Sequence, residues 1–165
     1  MSERAVEIRD AVGAEDMATL RVLFLEYQDW LQVDLCFQDF ETELASLPGA
    51  YAPPAGSLWL ACVDGELAGC VGFRPHQGPR VGAAACEMKR LWLRPAYRNL
   101  GLGRRLAVIC IEAARAAGYR TICLDTLGFM DAARALYASL GFHEILAYYH
   151  NPLDDVRYLE LDLGA

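Results

Sequence analysis

The sequence has no long apolar run and no excess of basic residues, and each absence excludes a class of protein. No stretch approaches the ~18 uninterrupted apolar residues of a membrane helix, and the first residues contain no apolar signal core. The net charge of −7 argues against a general nucleic-acid binder, whose footprint would be basic. We therefore expect a cytoplasmic protein with no membrane and no nucleic-acid partner.

Cysteine and histidine are present, but they do not form a ligand pattern. The six cysteines include no C-x-x-C pair, and the three histidines lie far apart. Most cysteines fall in apolar strand or helix patterns, which is typical of small core residues, so we expect no metal site. With 165 residues the chain can form one domain with a real core but not two of comparable size, so we predict a single domain over 1–165.

Apolar periodicity predicts the element order β-α-α-β-β-β-α-β-α-β-β. The predicted strands are 5–10, 58–63, 67–73, 87–93, 121–126, 143–149 and 156–163. The predicted helices are 15–31, 39–47, 101–117 and 130–140. Asp64-Gly65-Glu66 predicts a hairpin, since a type I′ turn needs positive φ at its centre. We predict an α/β fold, a mixed central sheet of about seven strands with helices on both faces and one right-handed parallel crossover.

One segment combines arginine and glycine between a strand and a helix. Charged and apolar residues are mixed in 87–93, as is typical of a partly covered strand, and Pro95 ends it. The pattern Arg98-x-x-Gly101-x-Gly103 then stands at the start of a helix, where N–H groups lack intrahelical partners and glycine lets an anion approach them. Three arginines add positive charge around this loop: Arg98, Arg104 and Arg105.

These features indicate a pyrophosphate site. A dinucleotide fingerprint would need a third glycine at Leu106, and a P-loop would need Gly-Lys-Ser/Thr, so neither is present. The simpler alternative is a helix start softened by glycine, with solvated arginines.

The loop, following a strand that ends Leu91-Trp92-Leu93, resembles the acetyl-CoA-binding segment of the GNAT-superfamily N-acetyltransferases. Glu87 in that strand and Leu136-Tyr137-x-x-Leu140-Gly141-Phe142 at a helix end extend the resemblance. The element order is similar to that of the GNAT fold over nearly the whole chain. The resemblance implies that a substrate amine attacks the thioester of acetyl-CoA directly.

The resemblance also implies how coenzyme A would be held, with its pyrophosphate on the loop and its pantetheine arm along the strand. The implied cofactor-binding residues are Leu91, Trp92, Leu93, Arg98, Asn99, Leu100, Gly101, Leu102, Gly103 and Arg104. An N–H near Trp92 is the implied oxyanion donor. Many relatives bind pantetheine through an asparagine where this sequence has Met130, so that contact is either missing or supplied by Asp131 or Thr126.

Two residues match catalytic positions of the family. Glu87 would take a proton from the acceptor ammonium, directly or through a water, because partial burial makes a carboxylate a better base. The alternative is a surface carboxylate paired with Lys89 or Arg74. Tyr137 would protonate the leaving thiolate, and the alternative is a packed tyrosine.

The acceptor pocket is implied to lie among the N-terminal helices, the loop near Tyr51 and the connection 148–152. The implied substrate-binding residues are Tyr51, Tyr148 and Tyr149, whose rings suit an aliphatic chain or an ammonium, although loop packing explains them as well. The expected acceptor is a small amine such as an amino acid, a polyamine or an antibiotic amine. Protein acetylation and a catalytically idle acyl-CoA-binding module are the alternatives. Relatives often dimerise, so a homodimer through an exposed sheet edge is one expectation.

Overall fold

Strands and helices follow one another in the predicted order in the computed structural model, which describes residues 3–32, 35, 39–76, 84–149, 151–153 and 155–164. The strands are β1 (Val6–Asp10), β2 (Ser57–Val63), β3 (Glu66–Pro75), β4 (Ala85–Leu93), β5 (Thr121–Leu127), β6 (His143–Ile145) and β7 (Val156–Asp162). The helices are α1 (Gly13–Leu31), α2 (Phe40–Ser46), α3 (Leu102–Ala116) and α4 (Asp131–Ser139), and the 3₁₀ segments are Gly49–Tyr51 and Pro95–Tyr97. Cys36 and His150 lie outside the described residues, as do residues 77–83 between β3 and β4.

The described strands form one mixed sheet in the order β1-β2-β3-β4-β5-β7-β6. All neighbouring pairs are antiparallel except β4 and β5, which are parallel and joined through α3. Asp64 and Gly65, with φ of 51° and 80°, form the turn between β2 and β3, as a type I′ turn requires. The predicted α/β fold is confirmed.

Two apolar layers cover the two faces of the sheet. On one face α3 and α4 pack on residues of the central strands, such as Phe73 and Ile122. On the other face α1 and α2 pack on Leu60, Cys70 and Trp92. The prediction of helices on both faces therefore holds. Within the described part of the chain, no helix is long and apolar enough to cross a membrane.

The two central strands separate along their length, and this divergence positions the site. β4 and β5 pair only from Ala85↔Thr121 to Glu87↔Cys123, although both strands continue beyond. A bulge accompanies the divergence, because Gly72 pairs with Lys89 and Cys70 with Trp92, which sets two residues of β4 opposite one of β3. Arg90 within the bulge has a φ of 61°. The sheet therefore opens at its centre, toward the end where β4 leads into α3.

Two sequence predictions need correction. The strand 143–149 ends at Ile145, because the following chain leaves the sheet and its tyrosines turn toward carboxylates on β4 and β5. The first part of β4 is not partly covered: its side chains are buried from Ala85 to Arg90. Charged residues can occupy such a strand only because each meets an opposite charge.

Candidate active site

A cleft lies where β4 and β5 separate. Its walls come from both strands, the C-terminal half of α1, and α4, and they include Tyr27, Lys89, Leu91, Asp125, Thr126, Met130 and Tyr137. Beyond Glu87 and Cys123 the two strands no longer pair, so their facing edges border the cleft instead of each other. An extended ligand can therefore lie between the strands.

The loop between β4 and α3 offers open backbone N–H groups. Gly101 is the N-cap of α3 with a φ of 77°, and Asn99 before it has a φ of 64°. None of the described side chains caps this helix start. A Cβ on Gly101 would meet no atom within 4 Å, and one on Gly103 would make ordinary contacts of 3.6 Å with two leucine side chains. The predicted phosphate loop thus fits an anion, because its N–H groups are uncapped and uncovered.

Two of the three arginines predicted at this loop, Arg98 and Arg104, contact different neighbouring elements. The guanidinium carbon of Arg98 lies 5.0 Å from the ring centroids of Trp30 and Trp92, and its Nε donates to the Leu93 carbonyl at 3.0 Å. Nη1 of Arg104 donates to Ser139 Oγ on α4 at 2.9 Å. Leu100 and Leu102 flank Gly101, the first exposed and the second buried.

The backbone of β4 alternates between its two neighbours. The N–H of Arg94 donates to the Ala68 carbonyl on β3, and Trp92 pairs with Cys70, so the backbone of Trp92 itself faces β3. Leu93, between them, presents its backbone groups to the opposite edge, where its carbonyl accepts from Arg98. Of the predicted backbone contacts, Leu93 is therefore the better placed, and the Trp92 side chain packs beneath α1.

Tyr137 lies buried in the wall of the cleft. Its ring meets Phe142 edge to face, with 5.6 Å between centroids. Burial raises the pKa of the phenol, so the hydroxyl remains protonated at neutral pH. This position and protonation suit a proton donor, while the packing contact is the one that the simpler alternative expects.

Met130 stands where many relatives have asparagine, and its surroundings separate the two expected substitutes. Thr126 is buried, lies in the wall of the cleft and contacts Met130 Sδ through its hydroxyl at 3.5 Å. The Asp131 side chain is 91% exposed and lies 3.9 Å from Arg134. Thr126 is therefore the residue of the two that faces the cleft.

Buried charges of alternating sign cross the sheet beneath α1 and α2, and we call this series the charge chain: Arg90, Glu43, Arg74, Glu87, Lys89 and Asp125. None of their side chains is more than 13% exposed. Two hydrogen bonds of 2.9 Å join Arg90 to Glu43, but the links on either side of Glu87 are longer: 3.4 Å to Arg74 Nη2 and 4.0 Å to Lys89 Nζ. The ion pairs of the charge chain are therefore short at the Arg90 end and longer around Glu87, the predicted base.

Glu87 occupies the middle of the charge chain. It is 4% exposed, so the simpler alternative, which expects a carboxylate on the surface, is wrong about its exposure. The expected pairing is present, since Arg74 lies across from it on β3 and Lys89 follows it on β4. Tyr148 donates its hydroxyl to Glu87 Oε2 at 2.8 Å. The carboxylate is thus held at the closed end of the cleft by two cations and a phenol.

The tyrosines predicted to bind substrate each donate to one carboxylate of the charge chain. Tyr51 donates to Glu43 Oε2 at 3.1 Å, and Tyr149 donates to Asp125 Oδ2. Tyr51 is almost fully buried, whereas Tyr148 and Tyr149 are half-buried and their rings contact each other at a tilt, with 5.5 Å between centroids. The structure brings all three tyrosines to the charge chain, where their hydroxyls donate to its carboxylates.

Asp125 is a site residue that the sequence analysis did not select. Burial alone would raise the pKa of Asp125, but the charge of Lys89 and the hydrogen bond from Tyr149 outweigh it and hold that pKa below its ordinary value. Asp125 therefore stays charged at neutral pH, on the other side of Lys89 from Glu87. Its signal in the sequence was a lone charge inside an apolar strand, and Lys89 was the only lysine of the chain.

Comparisons with known proteins agree with this geometry. The model of the acetyltransferase (GNAT) family matches residues 19–142. An uncharacterized N-acetyltransferase of Schizosaccharomyces pombe is 38% identical over 151 residues, which cover 91% of this chain and 90% of the relative.

Solved structures show the same fold. A GNAT-family acetyltransferase of Staphylococcus aureus has a TM-score of 0.76 at 23% identity, over 97% of this chain and 100% of that one. An acetyltransferase of Salmonella typhimurium, solved with its cofactor acetyl-CoA, has a TM-score of 0.70 at 20% identity, over 97% and 95% of the two chains. With a matching family, a similar relative and a cleft and loop of the required form, the chain belongs to the GNAT family and is an acetyl-CoA-dependent acetyltransferase.

Proposed function

We propose that this acetyltransferase transfers the acetyl group to a primary amine of a small molecule by direct attack of the amine on the thioester. One observation carries the proposal. Tyr137 lies in the wall of the cleft, and Glu87 lies at the last paired position of β4, so the cleft has a protonated phenol in its wall and a buried carboxylate where the two strands separate. The amine nitrogen would bond to the carbonyl carbon, the carbon–sulfur bond would then break, and one proton would be removed and another supplied.

Glu87 is the proposed base. It would accept the proton that the ammonium must lose before its nitrogen can attack, either directly or through a water. Its link to Arg74 is 3.4 Å, long enough for an amine to compete for the same oxygen. Tyr148 binds the other oxygen and orients the carboxylate.

Tyr137 is the proposed acid, and the backbone of β4 supplies the remaining contacts. The phenol, whose ordinary pKa is about 10, is protonated at neutral pH and would give its proton to the departing thiolate, whose ordinary pKa is about 8.5. The N–H of Leu93 or Leu91 is the proposed donor to the oxyanion, because Trp92 faces β3. Asn99 to Arg104 would hold the pyrophosphate through backbone N–H groups.

The proposal treats 1–165 as one domain that works in the cytoplasm. Five described cysteines are free, and four of them are buried, which is compatible with a reducing compartment. A homodimer remains part of the proposal, with the exposed edge of β1 or β6 as the contact.

The test is release of free thiol from acetyl-CoA against a panel of primary amines and short peptides. We expect turnover with at least one small amine, and turnover lower by about 10²- to 10⁴-fold for the Glu87→Gln variant. Turnover with peptides alone would contradict the small acceptor and favour protein acetylation. Binding of acetyl-CoA without thiol release from any amine would contradict transfer and favour an idle binding module.

A further inference from the structure

Arg74 in the charge chain is incompletely hydrogen-bonded. Its terminal nitrogens lie 3.5 Å from Glu43 Oε1 and 3.4 Å from Glu87 Oε1, which is long for hydrogen bonds between charged groups. Its Nε is buried and has no hydrogen-bond partner among the described residues. A buried donor without a partner is unfavourable, because it has lost water and gained no other acceptor. A bound anion would correct this.

A ligand can reach Arg74 without passing through the β4–β5 cleft. A second cleft of about 130 Å³ lies between α2 and the 3₁₀ segment Gly49–Tyr51, and its wall includes Arg74, Glu43 and Tyr51. The Arg74 side chain retains 12% exposure. The Arg74 side chain is therefore mostly buried but borders the second cleft.

Arg74 and Glu87 face each other across β3 and β4 as register partners. A ligand whose ammonium and carboxylate are neighbours would fit this pair head to tail, with its ammonium at Glu87 and its carboxylate at Arg74. Such a ligand adds no net charge to the charge chain, which already holds three cations and three anions. Electrical balance matters here because an unpaired charge is costly in a buried site.

We propose that Arg74 binds the carboxylate of the acceptor, and that the acceptor is a zwitterion whose amine and carboxylate share one carbon, as in an α-amino acid. This inference rests on the proposed transfer to a small amine and specifies its substrate class. A guanidinium suits the role because its planar fork matches a carboxylate in two hydrogen bonds. A polyamine would instead add positive charge beside Arg74 and Lys89.

The test compares common amino acids with their carboxamides, which keep the amine and the side chain but lack the carboxylate. We expect kcat/KM for the best amino acid to exceed that for its amide. Arg74→Gln is expected to lower kcat/KM for the acid by about 10- to 100-fold and that for the amide much less, since each lost charged hydrogen bond accounts for such a factor. The change in this ratio between variants does not depend on the reactivity of the amines.

Matched variants separate recognition from folding. Arg9 on the edge strand β1 also binds a carboxylate, that of Asp16, so Arg9→Gln is a matched control. This variant should keep the preference for the acid. Arg74→Lys keeps the charge without the fork and should retain only part of the preference. Thermal unfolding and acetyl-CoA affinity, measured for each variant, report whether the fold and the cofactor site are intact.

The outcomes distinguish this inference from the transfer reaction. Equal use of acids and amides, or an equal loss for both in Arg74→Gln, overturns the inference and leaves transfer to small amines standing. Calorimetry of the same ligand pairs with coenzyme A present measures binding apart from turnover. Binding that needs the carboxylate and is abolished in Arg74→Gln supports the inference. If such binding occurs without thiol release, the inference stands and only the proposed transfer reaction is contradicted. If no amino acid shows either binding or turnover, the inference is overturned.

Discussion

Arg90 donates from Nε to Glu43 Oε2 and from Nη2 to Glu43 Oε1, each at 2.9 Å, across 47 positions of sequence. The arginine lies in the bulge of β4, and the glutamate lies on α2, which covers that face of the sheet. The Arg90 guanidinium also packs over the ring of Phe40, 5.1 Å from its centroid. One ion pair thus joins the bulge that accompanies the opening of the cleft to the helix that covers the charge chain.

Glu43→Ala should destabilise the protein strongly. It would leave the Arg90 guanidinium buried without its partner and remove the acceptor of the Tyr51 hydroxyl. Breaking a buried pair in this way costs about 3–5 kcal/mol. The measurement is the free energy of unfolding in urea, and Glu41→Ala on the exposed side of the same helix is the matched control. Equal stability of the two variants would contradict the role of this pair.

The ion pair between Arg90 and Glu43 also predicts how the difference in unfolding free energy between wild type and Glu43→Ala depends on pH. Burial would raise the pKa of Glu43, but the charge and hydrogen bonds of Arg90 outweigh it, and the pKa lies below the ordinary 4.5. A lowered folded-state pKa gives stability that is complete above the unfolded value and lost as pH falls through the folded value. The difference between wild type and Glu43→Ala should therefore be constant near neutrality and shrink only below about pH 4.5.

Glu87→Gln should lower kcat by about 10²- to 10⁴-fold, the range that a general base contributes. Acetyl-CoA affinity should hardly change, because Glu87 lies at the closed end of the cleft, away from the loop before α3. Steady-state kinetics and calorimetry measure the two effects. Glu66→Gln, an exposed carboxylate at the start of β3, is the control. A larger loss in Asp125→Asn than in Glu87→Gln would transfer the role of base to Asp125.

Tyr137→Phe should lower kcat by about 10²-fold with little change in acetyl-CoA affinity. The ring and its contact with Phe142 remain, so only the hydroxyl is lost. Tyr119→Phe removes a hydroxyl that binds the Ala55 carbonyl outside the cleft, and its kcat should match wild type. Undiminished turnover in Tyr137→Phe would assign this tyrosine to packing.

Gly103→Asp should weaken acetyl-CoA binding about tenfold or more, because a carboxylate at the first turn of α3 repels a pyrophosphate and occupies its space. Gly103→Ala is the matched control, since a Cβ there makes only ordinary contacts of 3.6 Å. Calorimetric titration with acetyl-CoA compares the two variants. Unchanged affinity in Gly103→Asp would move the phosphate site away from this loop.

Lys89 should resist amine-reactive reagents in the folded protein. It is the only lysine of the chain, and its side chain is 4% exposed between Glu87 and Asp125. Mass spectrometry after acylation should show Lys89 unmodified under native conditions and modified in urea. Rapid native modification of Lys89 would mean that the charge chain is open to solvent.

Local patterns in the sequence determined the elements, the glycine-containing loop before α3 and the family. The turn at Asp64 and Gly65 and the uncapped helix start at Gly101 depend on φ preferences and on spacing along one short segment. Such features are encoded within a few neighbouring residues, so they could be predicted from the amino acids alone. Tyr137 and Glu87 were selected in the same way, through motifs of a known family.

Only the tertiary structure decided what these residues meet. The charge chain takes Glu43 from α2, Arg74 from β3, Glu87 from β4 and Asp125 from β5, and no spacing along the sequence brings these elements together. Strand register and the bulge at Arg90 place them side by side. Buried charges find their partners through space, because the free energy of an ion pair depends on distance and burial and not on separation along the chain.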